Sequence, residues 1–441
     1  MNTKMVRPLA SAASAALLAV AFRVNAAELE RVNPLAGLPS KPGPHVEKIK
    51  ALGDNAWLDL GCPAPDPTQG KEGVARGRAW GGRSLCAAPD LGGAFFCGTG
   101  VHGYVKSDGH YMDDLWLYDI NAHRWICLYP GASKKTKLHL DKQGFEVNEQ
   151  GDRIPVSYLS HAYGNMTYDS DLKKLVIVWS QCPWWGRAVP QRWTWLGIPE
   201  PKRTYGNAGR VVPEGRHPLF WDVATGKWER RFVAQHAGFE TRGRPAWAAL
   251  TEYVPSLKKT FHAGPSYRNY RDHAGWLYDY ATNSWTEVKT PKRPRGGPAG
   301  HNGCYDSKRR RMHTVGGKRM AYFDLKTNVW TDVKAKGQPE NFGSSNNGRL
   351  TFDTAGGVLV WHPNDAQKGN IRVYDPDTDA WESPARTLPK PAYRGMVHGS
   401  YDPMLNVHFY YIARDSSNRN TTMLVYRYKR VGRHRMKGAK K

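Results

Sequence analysis

Residues 113–125 read DDLWLYDINAHRW, and one spacing inside this stretch recurs along the chain: Tyr118 is followed by Asp119 and, seven positions after the tyrosine, by Trp125. The same aromatic, Asp and Trp spacing returns from Trp221 to Trp228, Tyr278 to Trp285, Phe323 to Trp330 and Tyr374 to Trp381. One such match is accidental, but five at identical spacing mark a repeated unit. In each, the aromatic closes a strand, Asp and small polar residues turn the chain, and Trp opens the next strand. Asp and Asn suit such turns because their side chains bond nearby backbone amides and tolerate left-handed geometry. The two large rings are expected to face each other across the hairpin and to pack between neighbouring units.

A second turn precedes most of these, in MTYDSDLKKLVIV (166–178), TEYVPSLKKTFHA (251–263), GCYDSKRRRMHTV (303–315), LTFDTAGGVLVW (350–361) and GSYDPMLNVHFYY (399–411). Two hairpins make a four-stranded blade, and blades repeating every 40 to 50 residues or so are the signature of a β-propeller. The expected fold is therefore all-β, a six-bladed propeller, with seven blades as the alternative if 131–215 hides another. The last repeat, near 394–428, supplies three strands and ends at LVYRY without a following Trp. NAWLDLGC (55–62) reads as its missing fourth strand, with Trp57 in the place of Trp125. Joining them closes the ring and removes the exposed sheet edges that invite aggregation.

The pattern resembles the Kelch repeat, whose blade ends in Leu-Trp-x-Tyr-Asp, a turn and Trp. The match is tightest at 113–125, and the Gly-Gly doublet usual in Kelch blades survives only as Gly316 and Gly317, which makes the chain a divergent member. The resemblance covers most of residues 54–430 and implies the fold, not an activity.

Lys4 and Arg7 precede an apolar run from Leu9 to Phe22, and Val24-Asn25-Ala26 fits a small-residue cleavage site. Together they describe a secretory signal peptide over 1–26. The expected organisation is then a lead-in at 27–53, the propeller at 54–430 and a basic tail at 431–441, in an exported bacterial protein, periplasmic or extracellular, with no transmembrane segment. Six cysteines in an exported chain permit disulfides. Cys86 and Cys97 flank the turn at Asp90 to Gly92 and are the candidate pair, with a reduced pair as the alternative. Cys62, Cys127, Cys182 and Cys304 show no CxxC spacing, so no thiolate zinc site and no other metal site is expected.

The formal net charge is +25; removing residues 1–26 leaves +22, and the stretch from Lys429 to Lys441 holds seven basic residues and no acidic one. Such a balance points to polyanionic partners. For an exported protein these are sulfated or uronic-acid polysaccharides, lipopolysaccharide or cell-wall polymers, with no nucleic acid expected. A tail that is merely a solvated end is the alternative for 429–441.

Blade topology sorts the remaining segments. Connections from second to third strand and from blade to blade emerge on one face, and both hairpin turns emerge on the other. The long insertions all belong to the first set, where function usually sits; the short regular turns are expected to leave the other face inert. The insertion near 183–217 interleaves Trp184, Trp185, Trp193 and Trp195 with Arg187 and Arg192, and the next blade repeats the mixture with Tyr267, Arg268, Tyr270, Arg271 and His273. Aromatic faces suit sugar rings, and Arg forks suit carboxylate or sulfate. Self-packing of the tryptophans stays open beside ligand contact.

Histidines gather in the same segments, among them His102, His110, His161, His217, His273, His301 and His398. With Tyr270 and a neighbouring Arg, His102, His110 and His161 form a candidate acid and base set for an acidic sugar, as a lyase or epimerase requires. A copper radical oxidase of the galactose oxidase type resembles this fold, but it requires a domain after the propeller and a Tyr crosslinked to Cys, and neither is evident here. GTGVHG (98–103) lacks the strand and helix context of a nucleotide loop. No cofactor is assigned. Two functions remain: a binder of anionic polysaccharide or another extracellular polyanion, and a carbohydrate-active enzyme using rim His or Tyr with Arg.

Overall fold

The structure, a computed structural model, describes residues 33–77, 85–97, 114–132, 135–143, 145–155, 164–178, 217–234, 250–263, 273–291, 302–342, 348–363, 371–384, 397–415 and 419–430. An N-terminal segment carrying helix α1 (Pro44–Ala51) leads into strand β1 (Ala56–Asp59). Blade I then comprises β2 (Leu85–Ala88), β3 (Gly93–Cys97), β4 (Leu115–Asp119) and β5 (Arg124–Tyr129). A small hairpin, β6 (Leu138–Leu140) and β7 (Glu146–Asn148), follows inside the stretch expected to be loop. Blade II is β8 (Met166–Asp169), β9 (Lys174–Ile177), β10 (Leu219–Asp222) and β11 (Lys227–Arg230). Blade III is β12 (Leu250–Val254), β13 (Lys259–Ala263), β14 (His273–Asp279) and β15 (Ser284–Lys289). Blade IV is β16 (Asn302–Asp306), β17 (Arg311–Gly316), β18 (Arg319–Asp324) and β19 (Val329–Val333). Blade V is β20 (Arg349–Asp353), β21 (Val358–His362), β22 (Arg372–Asp375) and β23 (Ala380–Glu382). Blade VI is β24 (Val397–Asp402), β25 (Val407–Ala413) and β26 (Thr421–Arg427), completed by β1.

The blades are six antiparallel four-stranded sheets, and their first strands touch in a closed ring, β2, β8, β12, β16, β20, β24 and back to β2. The chain is thus a six-bladed propeller, and β1 pairs antiparallel with β26 as the ring closure requires.

The core explains why strands such as LWLYD are buried at every position. Each blade is wedged between two others, so both of its faces are covered. Apolar side chains collect in six clusters, one per interface: Phe95, Tyr168 and Trp221 between I and II, Phe220 and Trp276 between II and III, Phe261 and Phe323 between III and IV. Phe352 and Trp361 fill the interface of IV and V, Val373 and Tyr410 that of V and VI, and Phe96, Trp125 and Tyr411 that of VI and I.

The repeated turn is a device of three parts. Its Asp accepts backbone N–H bonds from two or three residues ahead, as Asp279 does from Ala281 (2.9 Å) and Asp324 from Lys326 (2.9 Å). Its fifth residue after the aromatic is left-handed: His123, Asn283, Asn328 and Asp379 have φ between 49° and 59°, and Gly226 takes the slot in blade II. Where the aromatic is tyrosine, its hydroxyl reaches that same residue, Tyr278 donating to Asn283 Oδ1 at 2.8 Å and Tyr374 to Asp379 Oδ1 at 2.8 Å. The aromatic and Trp then sit directly opposite each other, with ring centroids 5.5 Å apart for Tyr118 and Trp125 and 5.0 Å for Tyr278 and Trp285.

Residues 33–54 run along the turn face. Asn33 Nδ2 donates to Val223 O (2.7 Å) in blade II, Ser40 bonds Asp119 (2.7 Å) in blade I, and Ile49 of α1 packs into the cluster between VI and I. Arg427 donates to Lys50 O (3.0 Å) and Leu52 O (2.5 Å), binding the last carbonyls of α1 as a cation at a helix C-terminus does.

Candidate functional site

The inner edge of a propeller blade presents N–H and C=O groups with no further strand to pair with, and these must be satisfied. Here neighbouring blades do so with side chains. Thr167 Oγ1 accepts from Tyr253 N (2.9 Å), and Glu252 Oε1 accepts from Tyr305 N (3.0 Å). Arg349 Nε donates to Gly399 O (2.8 Å) and its Nη1 to Gly303 O (3.3 Å), so one guanidinium joins blades IV, V and VI. Gly399 leaves the room for this, since a Cβ there would lie 2.8 Å from Arg349 Cγ. Arg349 and Glu252 are 3% and 6% exposed, an acid and a base held at the ring axis. Residues at the same height as Arg349 on the other inner strands include Asn165, Asn302 and His398, all buried. Neither amide atom of Asn165 has a hydrogen-bond partner among the described residues.

Below this tier, toward the turns, a second series of contacts runs from blade to blade. Tyr168 of II donates to Asp90 Oδ2 in the turn of I (3.0 Å), and Tyr253 of III donates to Asp171 in the turn of II. In blade VI, Tyr401 accepts from Ala355 N in the turn of V (3.4 Å) and bonds its own Asn406 (3.0 Å). Burial, and then the neighbouring carboxylates, push the Tyr168 and Tyr253 hydroxyls far above the usual phenol range. They remain neutral donors and are poorly suited to act as bases.

Four of the described histidines are buried in structural roles. His217 is buried, accepts Val233 N on Nδ1 (2.9 Å) and stacks on Phe232 at 4.8 Å. His398 is buried against Phe96. His313, buried beside Asp306 at 3.7 Å, has its pKa lowered chiefly by desolvation, and His362 is pushed down to about 4 by the same cause. Both are neutral core residues. Among the described residues, no three His, Cys, Asp or Glu side chains converge as metal ligands.

Of the expected site residues, His102, His110, His161, Trp184, Trp185, Arg187, Arg192, Trp193, Trp195, Tyr267, Arg268, Tyr270 and Arg271 lie outside the described residues. His273 opens β14, with only its backbone described. What the strands fix is where these segments start and end. The stretch 179–216 joins β9 to β10 and 264–272 joins β13 to β14, so both leave and re-enter at the end of the ring opposite the turns. Cys86 and Cys97 depart from expectation. Cys86 faces Phe95, two pairs short of Cys97, because the turn closes between Ala88 and Gly93; the two sulfurs are not bonded to each other, and Cys97 Sγ lies 3.3 Å from Met166 Sδ.

The face expected to be inert is not featureless. A cavity of about 750 Å³ opens there between the six inner strands, with Glu252 and Arg349 in its lining and Pro39 of the lead-in at its mouth. Sequence reasoning missed Glu252 and Arg349; the one available signal was Glu252, the single charge in the strand LTEYV.

The ring and its axial channel define a six-bladed β-propeller. No protein-family model matches the chain, and no curated protein matches it. Solved structures similar to it include an oligogalacturonate lyase from Vibrio parahaemolyticus, at 12% identity over 85% of this chain and 97% of that one, with a TM-score of 0.41. Auxiliary nutrient binding proteins from Bacteroides ovatus (11%, 84% and 77%, TM-score 0.42) and Bacteroides thetaiotaomicron (10%, 84% and 76%, TM-score 0.44) are also similar. No residue role passes from them to this chain. No described helix is long and apolar enough to cross a membrane.

Proposed function

We propose that the chain is an exported propeller of the Kelch type whose loop face binds an anionic polysaccharide. One observation carries this: the strand order sends the blade-to-blade and second-to-third-strand connections to the same end of the ring, and most of the net positive charge, together with Trp184, Trp185, Trp193 and Trp195, falls in them. The stretch 179–216 holds six basic and two acidic residues, and 292–301 and 385–396 each hold three basic and no acidic ones. Arg forks pair with carboxylate or sulfate, and the interleaved Trp and Tyr rings cover the apolar faces of sugars. Kelch character is supported by the complete Leu-Trp-x-Tyr-Asp turn at 115–125, and export by the basic, apolar and small-residue succession in 1–26.

The test is retention on a panel of sulfated and uronic polysaccharides, with ultraviolet absorbance followed in the same samples. Retention without new absorbance is expected. Appearance of an unsaturated uronate would replace the binding function by a lyase, and absence of retention on every polyanion would remove both.

A further inference from the structure

We propose that the axial cavity is a second binding site, reached from the turn face, for a small hydroxy-carboxylate of monosaccharide size. Its volume of about 750 Å³ falls within the range of small-molecule sites. The site lies on the face opposite the long connections and does not depend on their binding a polymer.

The aromatic walls and the inner charged groups ask for different chemistry, and one ligand class answers both. Tyr168, Tyr253, Tyr305, Phe352 and Tyr401 line the cavity, one from each of five successive blades. Such walls favour a compact body with C–H faces over a hydrated inorganic ion. Further in, Arg349 and Glu252 are fixed by bonds to Gly303 O and Tyr305 N, groups two residues apart on one edge of β16. Two residues of extended chain span about 7 Å, so a positive and a negative group stand within reach of a single ligand. Arg349 is held in orientation by two carbonyls, and a guanidinium so fixed matches a carboxylate. Glu252, with Ser400 in the same lining, supplies an acceptor and a hydroxyl for a polyol.

Calorimetric titration of the full chain with galacturonate and glucuronate tests this, with glucose and acetate as controls. Saturable binding of a uronate at one site per chain is expected, with glucose and acetate each weaker by about tenfold or more. Thr354 and Met404 are exposed at the mouth, so Thr354→Trp and Met404→Trp should fold normally and block entry, weakening the uronate by about tenfold while retention on polysaccharide stays unchanged. The proposal is overturned if no uronate gives saturable heat, if glucose or acetate binds equally well, or if both mouth variants bind the uronate as the parent does.

Discussion

Trp57 stands directly opposite Tyr426, with ring centroids 4.9 Å apart, although 369 positions separate them in the chain. Tyr426 donates its hydroxyl to Asn55 Oδ1 at 3.1 Å, and Asn55 is left-handed at φ 50°. Tyrosine, left-handed residue and Trp two positions later are the parts of the turn in blades I, III and V. The sixth turn is therefore present, assembled from the two ends of the chain, and it closes the ring.

Trp57→Ala should destabilise the whole protein by about 2–3 kcal/mol, somewhat below the value typical of a fully buried Trp because Trp57 is half-buried. Trp125→Ala, at a position with no exposure, should cost about 3–5 kcal/mol. Urea midpoints check both. A Trp57→Ala protein as stable as the parent would mean that β1 does not close the ring.

The left-handed slot makes a separate prediction. Asn283→Val places a β-branched residue at φ 50° and removes the acceptor of Tyr278, and should cost about 2–3 kcal/mol. Asn283→Gly should cost only the two side-chain hydrogen bonds, from Tyr278 and to Phe232 O, about 1 kcal/mol each. In a double-mutant cycle with Tyr278→Phe, the glycine variant should show coupling near that value.

Acid sensitivity follows from His362. Its folded pKa of about 4 lies below the usual 6.5, so between these values the unfolded chain binds the proton more readily. Stability is complete above about pH 6.5 and is lost as pH falls toward 4, by roughly 3 kcal/mol for this group alone. The His362→Gln variant should show a shallower fall in unfolding free energy between pH 7 and 4.5. An unchanged slope would mean that His362 does not stay neutral in the fold.

Much of the ring was legible because its turn is local. Spacing of aromatic, Asp and Trp reports a hairpin whose parts are within eight residues, and Trp57 could be placed because it carried the same local mark. The Cys86 and Cys97 register was not legible: the two cysteines are symmetric about the midpoint of Leu91 and Gly92, whereas the pairing of Ala88 with Gly93 centres the hairpin one residue earlier and leaves them two pairs apart. The axial pair was missed for another reason. Glu252 and Arg349 are bonded to main-chain groups of other blades, Tyr305 N, Gly303 O and Gly399 O, and no local pattern announces a partner some 50 residues away.

The two-pair offset of Cys86 and Cys97 yields a direct check. Peptide mapping of the unreduced protein should recover the peptides of Cys86 and Cys97 separately. A linked pair would require β2 and β3 to shift their register.

The loop-face function is tested most directly by affinity for a uronic polysaccharide at about 0.15 M salt, where exposed charges act over only about 8 Å. Three proteins are compared: the full chain, a Tyr270→Ala, Arg271→Ala variant, and a chain ending at Arg430. The double variant should lose most of its affinity while the shortened chain keeps most of it. Full affinity in the double variant, with loss in the shortened chain, would contradict the loop-face function and assign binding to the tail.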